Sequence, residues 1–145
     1  MRRRQPDRQR RTGRTRRLTR ATATRLLDEV RVRMRALNED AYYLYKVDQA
    51  IVFGSYLDEA LDRIGDLNIG IRFSPKISDS DEFERLSEER SAFAKREFKS
   101  YFKYLYWPLE ESMRFLRGGS KAIRLHDMAH HEKVLAGEPQ RVVFP

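Results

Sequence analysis

The chain has 145 residues, 40% hydrophobic and 11% aromatic, which supplies enough apolar side chains for one domain with a real core. Its formal charge of +8 is unevenly placed: residues 1–20 hold ten arginines against Asp7 alone, and the remainder has 20 basic and 21 acidic residues. The absence of cysteine excludes a disulfide framework, a thiolate zinc site and a cysteine nucleophile and fits a reducing compartment, and no apolar run approaches the roughly 20 residues of a membrane span.

The positive charge therefore sits in an arm, Arg2 to Arg20, on a nearly neutral body. Residues 1–18 offer little to bury and are expected to be disordered, with residues 19–145 forming the domain. Such an arm is drawn to phosphate backbones in a salt-dependent way, so its expected partner is nucleic acid bound without sequence preference, unless it merely solubilises. It lacks the apolar stretch of a secretory signal and the serines of a transit peptide; the chain is read as cytoplasmic, with no membrane contact.

Thr19 is a candidate N-cap, and Ala23, Leu26, Leu27, Val30, Met34 and Leu37 recur at three-to-four spacing up to about Asn38, which predicts a helix with one packed face. After the cluster Tyr42, Tyr43 and Tyr45, Gln49 to Phe53 reads as a strand stopped by Gly54-Ser55, and Leu67 to Phe73 as a second stopped by Ser74-Pro75. The eleven residues Tyr56 to Asp66 that follow Gly54-Ser55 are too few for a parallel crossover, so antiparallel neighbours are expected. Ser80 or Asp81 caps a long helix to about Tyr106, with Phe83, Leu86, Phe93, Ala94, Phe98, Tyr101, Phe102 and Leu105 as its buried stripe. Pro108 opens another helix that Gly118-Gly119 ends. A strand at Ala122 to Leu125, a short helix at Met128 to Leu135 and a strand at Arg141 to Phe144 complete an α+β fold with a small mixed sheet packed by helices.

Two groups invite chemistry but have plainer readings. His126, His130 and His131 lie near Asp127, yet the adjacent pair 130 and 131 cannot share a helix face, so solvated surface histidines are expected. Phe98 to Trp107 interleaves aromatics with Lys99 and Lys103 as a base-stacking platform would; at helical spacing, core is the expected role.

The most informative stretch reads Val52-Phe53-Gly54-Ser55-Tyr56-Leu57, then a polar loop, then Arg63-Ile64-Gly65-Asp66-Leu67-Asn68-Ile69-Gly70-Ile71. It resembles the signature of the polymerase β-type nucleotidyltransferase superfamily, where Gly-Ser at a strand end precedes, by about ten residues, two aspartates flanking one apolar residue. The likeness is strongest to small stand-alone bacterial nucleotidyltransferase-domain proteins with an N-terminal helix, and covers roughly Thr19 to Phe73.

The resemblance implies a nucleotidyltransferase-like fold and a set of roles. Gly54 and Ser55 would hold the β- and γ-phosphates of an NTP, glycine because no side chain blocks the approach. Asp66 and position 68 alternate along a strand, project together, and would share magnesium ions. A later strand normally supplies a third carboxylate; Asp127 is the candidate here, unless it caps the next helix. Two metals so held would transfer a nucleoside monophosphate to a hydroxyl acceptor. The chain departs from the pattern at Asn68, whose neutral carbonyl brings no charge to a metal, and Arg124, on the third strand, is no ligand.

Two functions are thus in view. The first is a nucleotidyltransferase with Asp66 and Asn68 as catalytic and metal residues, weakened by the asparagine. The second is a catalytically inactive nucleotidyltransferase-fold binding module, antitoxin-like or regulatory, with a protein partner and the Arg arm on nucleic acid.

Overall fold

The computed structural model describes residues 18–130 and 136–145. The arm up to residue 17 and the end of the helix expected over Met128 to Leu135 lie outside them; residues 128–130 are helical. Leu18, assigned above to the arm, belongs to the domain. Leu18–Thr19 forms strand β1, which pairs with β3 (Arg63–Ile64), Leu18 standing opposite Ile64.

Thr19 caps helix α1 (Arg20–Glu39), its hydroxyl accepting from the Thr22 amide at 3.1 Å. The buried residues of α1 are Ala23, Leu26, Leu27, Val30, Met34 and Leu37, the stripe read from the spacing. Each large apolar side chain among them contributes about 1.5–3 kcal/mol by leaving water, so packing rather than propensity holds this helix.

A four-stranded sheet runs in the order β5 (Ile123–Asp127), β4 (Leu67–Pro75), β2 (Tyr45–Phe53), β6 (Gln140–Phe144). The pairs β2–β4 and β2–β6 are antiparallel and β4–β5 is parallel, so the sheet is mixed and the fold is α+β. Both hairpin strands outrun their expected bounds, β2 starting at Tyr45 and β4 reaching Pro75. Backbone pairing sets these ends: Tyr45 faces Pro75, Lys46 faces Ser74, and a bulge between Val47 and Gln49 absorbs a residue that side-chain alternation reads as a break. Helix α1 lies over the face made by Val47, Ala50, Val52, Leu67, Ile69, Ile71, Ile123 and Phe144. No described helix is long and apolar enough to cross a membrane.

The single long helix expected up to Tyr106 is two helices, α2 (Ser80–Phe93) and α3 (Tyr101–Arg117). Asp79 caps α2, accepting from the amides of Asp81 and Glu82 at 2.9 and 3.2 Å. The chain leaves helical geometry over residues 94–100, where Lys95 takes φ +53°, and Ser100 caps α3 by accepting from the Lys103 amide at 3.2 Å. Helix α3 ends at Gly118, left-handed at φ +62°. The turn-back places α3 against α2 and rotates its buried face to Trp107, Pro108, Leu109, Ser112 and Leu116. The expected stripe therefore dissolves: Phe93, Tyr101, Phe102 and Leu105 are exposed.

Pro108 lies inside α3 rather than opening it. A proline there cannot donate to the carbonyl four residues earlier, that of Tyr104, and an orphan carbonyl in a helix interior is costly. The hydroxyl of buried Ser91 donates to the Tyr104 carbonyl at 2.6 Å and replaces the missing bond. Ser91→Ala is expected to cost about 1–3 kcal/mol in chemical denaturation by stranding that carbonyl. In a Pro108→Ala background, where the helix recovers its own donor, the same serine change should cost clearly less; equal costs in both backgrounds would disprove the link.

Candidate functional site

Glycine is required at position 54 for two reasons. Its φ is +87°, and a Cβ there would come within 3.1 Å of Asn68 Nδ2. The tight 3-10 turn Gly54–Leu57 follows, and Ser55 Oγ accepts from the Gly65 amide at 3.0 Å, closing the base of the loop between the hairpin strands. Tyr56 is buried behind it, its hydroxyl 2.7 Å from Thr24 Oγ1. Arg20 donates to the carbonyls of Tyr56 and Asp58, both at 2.7 Å, and of Leu61 at 3.2 Å. Arg20 is thus a clip on this loop, although by charge it was grouped with the arm.

The register Phe53 opposite Asn68 brings Gly54, Ser55, Asp66 and Asn68 to one end of the hairpin. Along β4, Leu67, Ile69 and Ile71 point into the core, so Asn68 lies on the opposite face. The parallel register of Asn68 with Arg124 and Gly70 with His126 puts two β5 side chains on that same face. Arg124 Nε donates to Asp66 Oδ2 at 2.6 Å. His126 Nε2 lies 3.1 Å from Asn68 Oδ1; a carbonyl oxygen can only accept, so the imidazole donates through Nε2. The Asn68 amide in turn donates to the Asp66 carbonyl at 3.3 Å, and the His126 ring packs on Phe53 with centroids 5.1 Å apart. The Asp66 side chain is 17% exposed and that of Arg124 57%, so solvent reaches the ion pair from the arginine's side.

Asp127 is not brought to this group. It stands opposite Ile71, a core residue, and its carboxylate turns toward α3, where Tyr106 Oη lies 3.5 Å from Oδ2. Its other oxygen accepts from the Ala129 amide at 3.1 Å, the helix-capping alternative raised for it from the sequence. Burial first, and then the charge of Asp127, hold the Tyr106 phenol above its ordinary range. His126, expected to be a solvated surface residue, is half-buried and part of the site, whereas His130 is exposed beside Asp127 and His131 lies outside the described residues. Among the described residues no group of three or more histidines and carboxylates is gathered in a way that could hold a metal ion.

Sequence reading missed Arg124 and His126 as members of the site. Their signal was the period of two on the third strand, which places 124 and 126 on one face; it becomes usable only once β5 is known to run parallel to β4 in this register. Compared with family models, with curated proteins and with solved structures, the chain matches none.

Proposed function

We propose that the chain is a nucleotidyltransferase-like binding module, regulatory or antitoxin-like, that holds a nucleotide without transferring it. The observation that carries this reading is the Arg124 guanidinium on Asp66 at 2.6 Å. A two-metal transferase needs carboxylates that face cations supplied from solution. Here Asp66 faces a cation of the protein itself, and Asn68 is neutral with its carbonyl engaged by His126. At the β5 position level with Asn68, where a third acid could stand, there is Arg124. These residues do not fit a magnesium pair. They do fit an anion: Arg124, with its guanidinium more than half exposed, and His126 lie beside the turn that begins at Gly54. The hairpin topology, with Gly54-Ser55 ending one strand beside Asp66 and Asn68 on the next, supports the nucleotidyltransferase-like assignment. The arginines up to residue 17 would add nonspecific, salt-dependent attraction to nucleic acid.

With α-labelled NTP and magnesium, incorporation is expected to stay at the level of the Asp66→Ala variant. With chelator present, calorimetry is expected to show NTP binding that Arg124→Ala weakens by about tenfold, the loss of one charge-assisted contact. Magnesium-dependent labelling that disappears in Asp66→Ala would instead establish transfer of a nucleoside monophosphate to a hydroxyl acceptor. The double variant Asn68→Asp/Arg124→Ala, which adds a carboxylate and frees another, is expected to bind magnesium more tightly than the native chain. An unchanged metal titration would count against the placement of the site.

A further inference from the structure

The connection at residues 94–100 and one side of α3 border a half-open cavity of about 310 Å³, at the small end of ligand pockets. Arg96, Lys99 and Lys103 line it, and none of them reaches a carboxylate within ion-pair distance among the described residues. Glu97 lines it too but engages none of the three, and Glu110 is already taken by Arg114 at 2.9 Å. The fourth wall is Trp107, 8% exposed, whose indole N–H is buried without a hydrogen-bond partner among the described residues. Buried indole N–H groups ordinarily find an acceptor, so this donor is left unfilled beside a cavity where Arg96, Lys99 and Lys103 make no ion pair among the described residues. The Arg96 guanidinium lies 4.4 Å from the Trp107 ring centroid, which holds its charge beside the indole.

We propose that this cavity is a phosphate-ester site of nucleotide size, in which Lys99, Lys103 and Arg96 meet the anion and the Trp107 ring forms the apolar wall. Lysines and arginines provide the charge-assisted bonds that phosphate oxygens take, and the indole and Phe98, which also line the cavity, offer apolar surface to a base or sugar. The site uses none of the hairpin residues and does not depend on the reading of Asp66, Asn68 and Arg124.

Trp107 is the only tryptophan of the chain, so its fluorescence reports on this cavity. Full-length protein is titrated with pyrophosphate, thymidine monophosphate and a short oligothymidylate. A saturable, salt-sensitive change with pyrophosphate or the nucleotide is expected, weakened at least about tenfold in Lys99→Ala/Lys103→Ala. The control Arg25→Ala/Lys121→Ala, which removes the same charge elsewhere, is expected to retain native affinity. Tighter binding of the mononucleotide than of the strand identifies a free nucleotide as the source of the phosphate; the reverse identifies a nucleic-acid strand, and either supports the site. The Asp66→Ala and Arg124→Ala variants should leave this titration unchanged while altering the hairpin site. No saturable change with any of the three probes, or one that Lys99→Ala/Lys103→Ala leaves intact, would overturn the proposal.

Discussion

Replacing Glu111 with glutamine is expected to remove about 3–5 kcal/mol of folding stability, a large share of the roughly 5–15 kcal/mol that a domain of ordinary stability has. Glu111 on α3 pairs with Arg90 on α2, and the two side chains are only 12% and 15% exposed. Arg90 also stacks over Tyr42, 3.4 Å from the ring centroid, so a single guanidinium joins both helices to the segment that leads into β2. The pair is incompletely satisfied, because Arg90 Nε and Glu111 Oε2 are buried without partners among the described residues. Glutamine keeps the shape and removes the charge, leaving a guanidinium in a site too dry to solvate it. The cost comes from the stranded charge, so Arg90→Met/Glu111→Leu should cost much less than Glu111→Gln alone. Exposed Arg85, paired with Glu82 and Glu89 on α2, is the control: its alanine variant should lose less than about 1 kcal/mol in the same urea titration. A Glu111→Gln protein with native stability would show that water reaches the pair.

Asn38→Ala is expected to cost about 2–4 kcal/mol, the penalty for two backbone groups left unpaired in a buried setting. In the last turn of α1, the Asn38 side chain accepts from the Val47 amide at 2.8 Å and donates to the Val47 carbonyl at 3.0 Å. Val47 is 3% exposed, and β6 pairs with β2 only from Ala50 onward. The asparagine amide thus stands in for the missing neighbour strand and joins the helix to the start of the hairpin. Asn38→Asp, which keeps the acceptor and loses the donor, should fall between native and alanine. Hydrogen exchange at the Val47 amide separates this account from a general loss of packing: protection should drop there before it drops at Ile69. Unaltered protection in the alanine variant would show that the side chain is not the partner that matters.

Much of the candidate hairpin was legible before any coordinates. The period of α1 marked all six of its buried residues, and the short loop after Gly54-Ser55 forced β2 and β4 to be antiparallel neighbours, which brings residues 54, 55, 66 and 68 together. The break between α2 and α3 was not legible. Aromatic residues recur at helical spacing straight through residues 94–100, and Pro108 looked like a helix start because the donor that excuses it, Ser91, comes from another helix. Asp127 likewise looked like the third acid because its distance in sequence says nothing about which face of β5 it takes.

What the sequence determined by itself was local: which segments are amphipathic, where caps and turns fall, how charge divides between arm and body, and that position 68 carries an amide. These follow from contacts a few residues apart, whose geometry the backbone repeats. Only the tertiary structure decided the electrostatic character of the site. Arg124 meets Asp66, and His126 meets Asn68, across a separation of 58 residues in each case. Such pairings depend on the register of a parallel strand, which is set by the packing of the whole sheet against α1 and not by any residue near Asp66 in the chain.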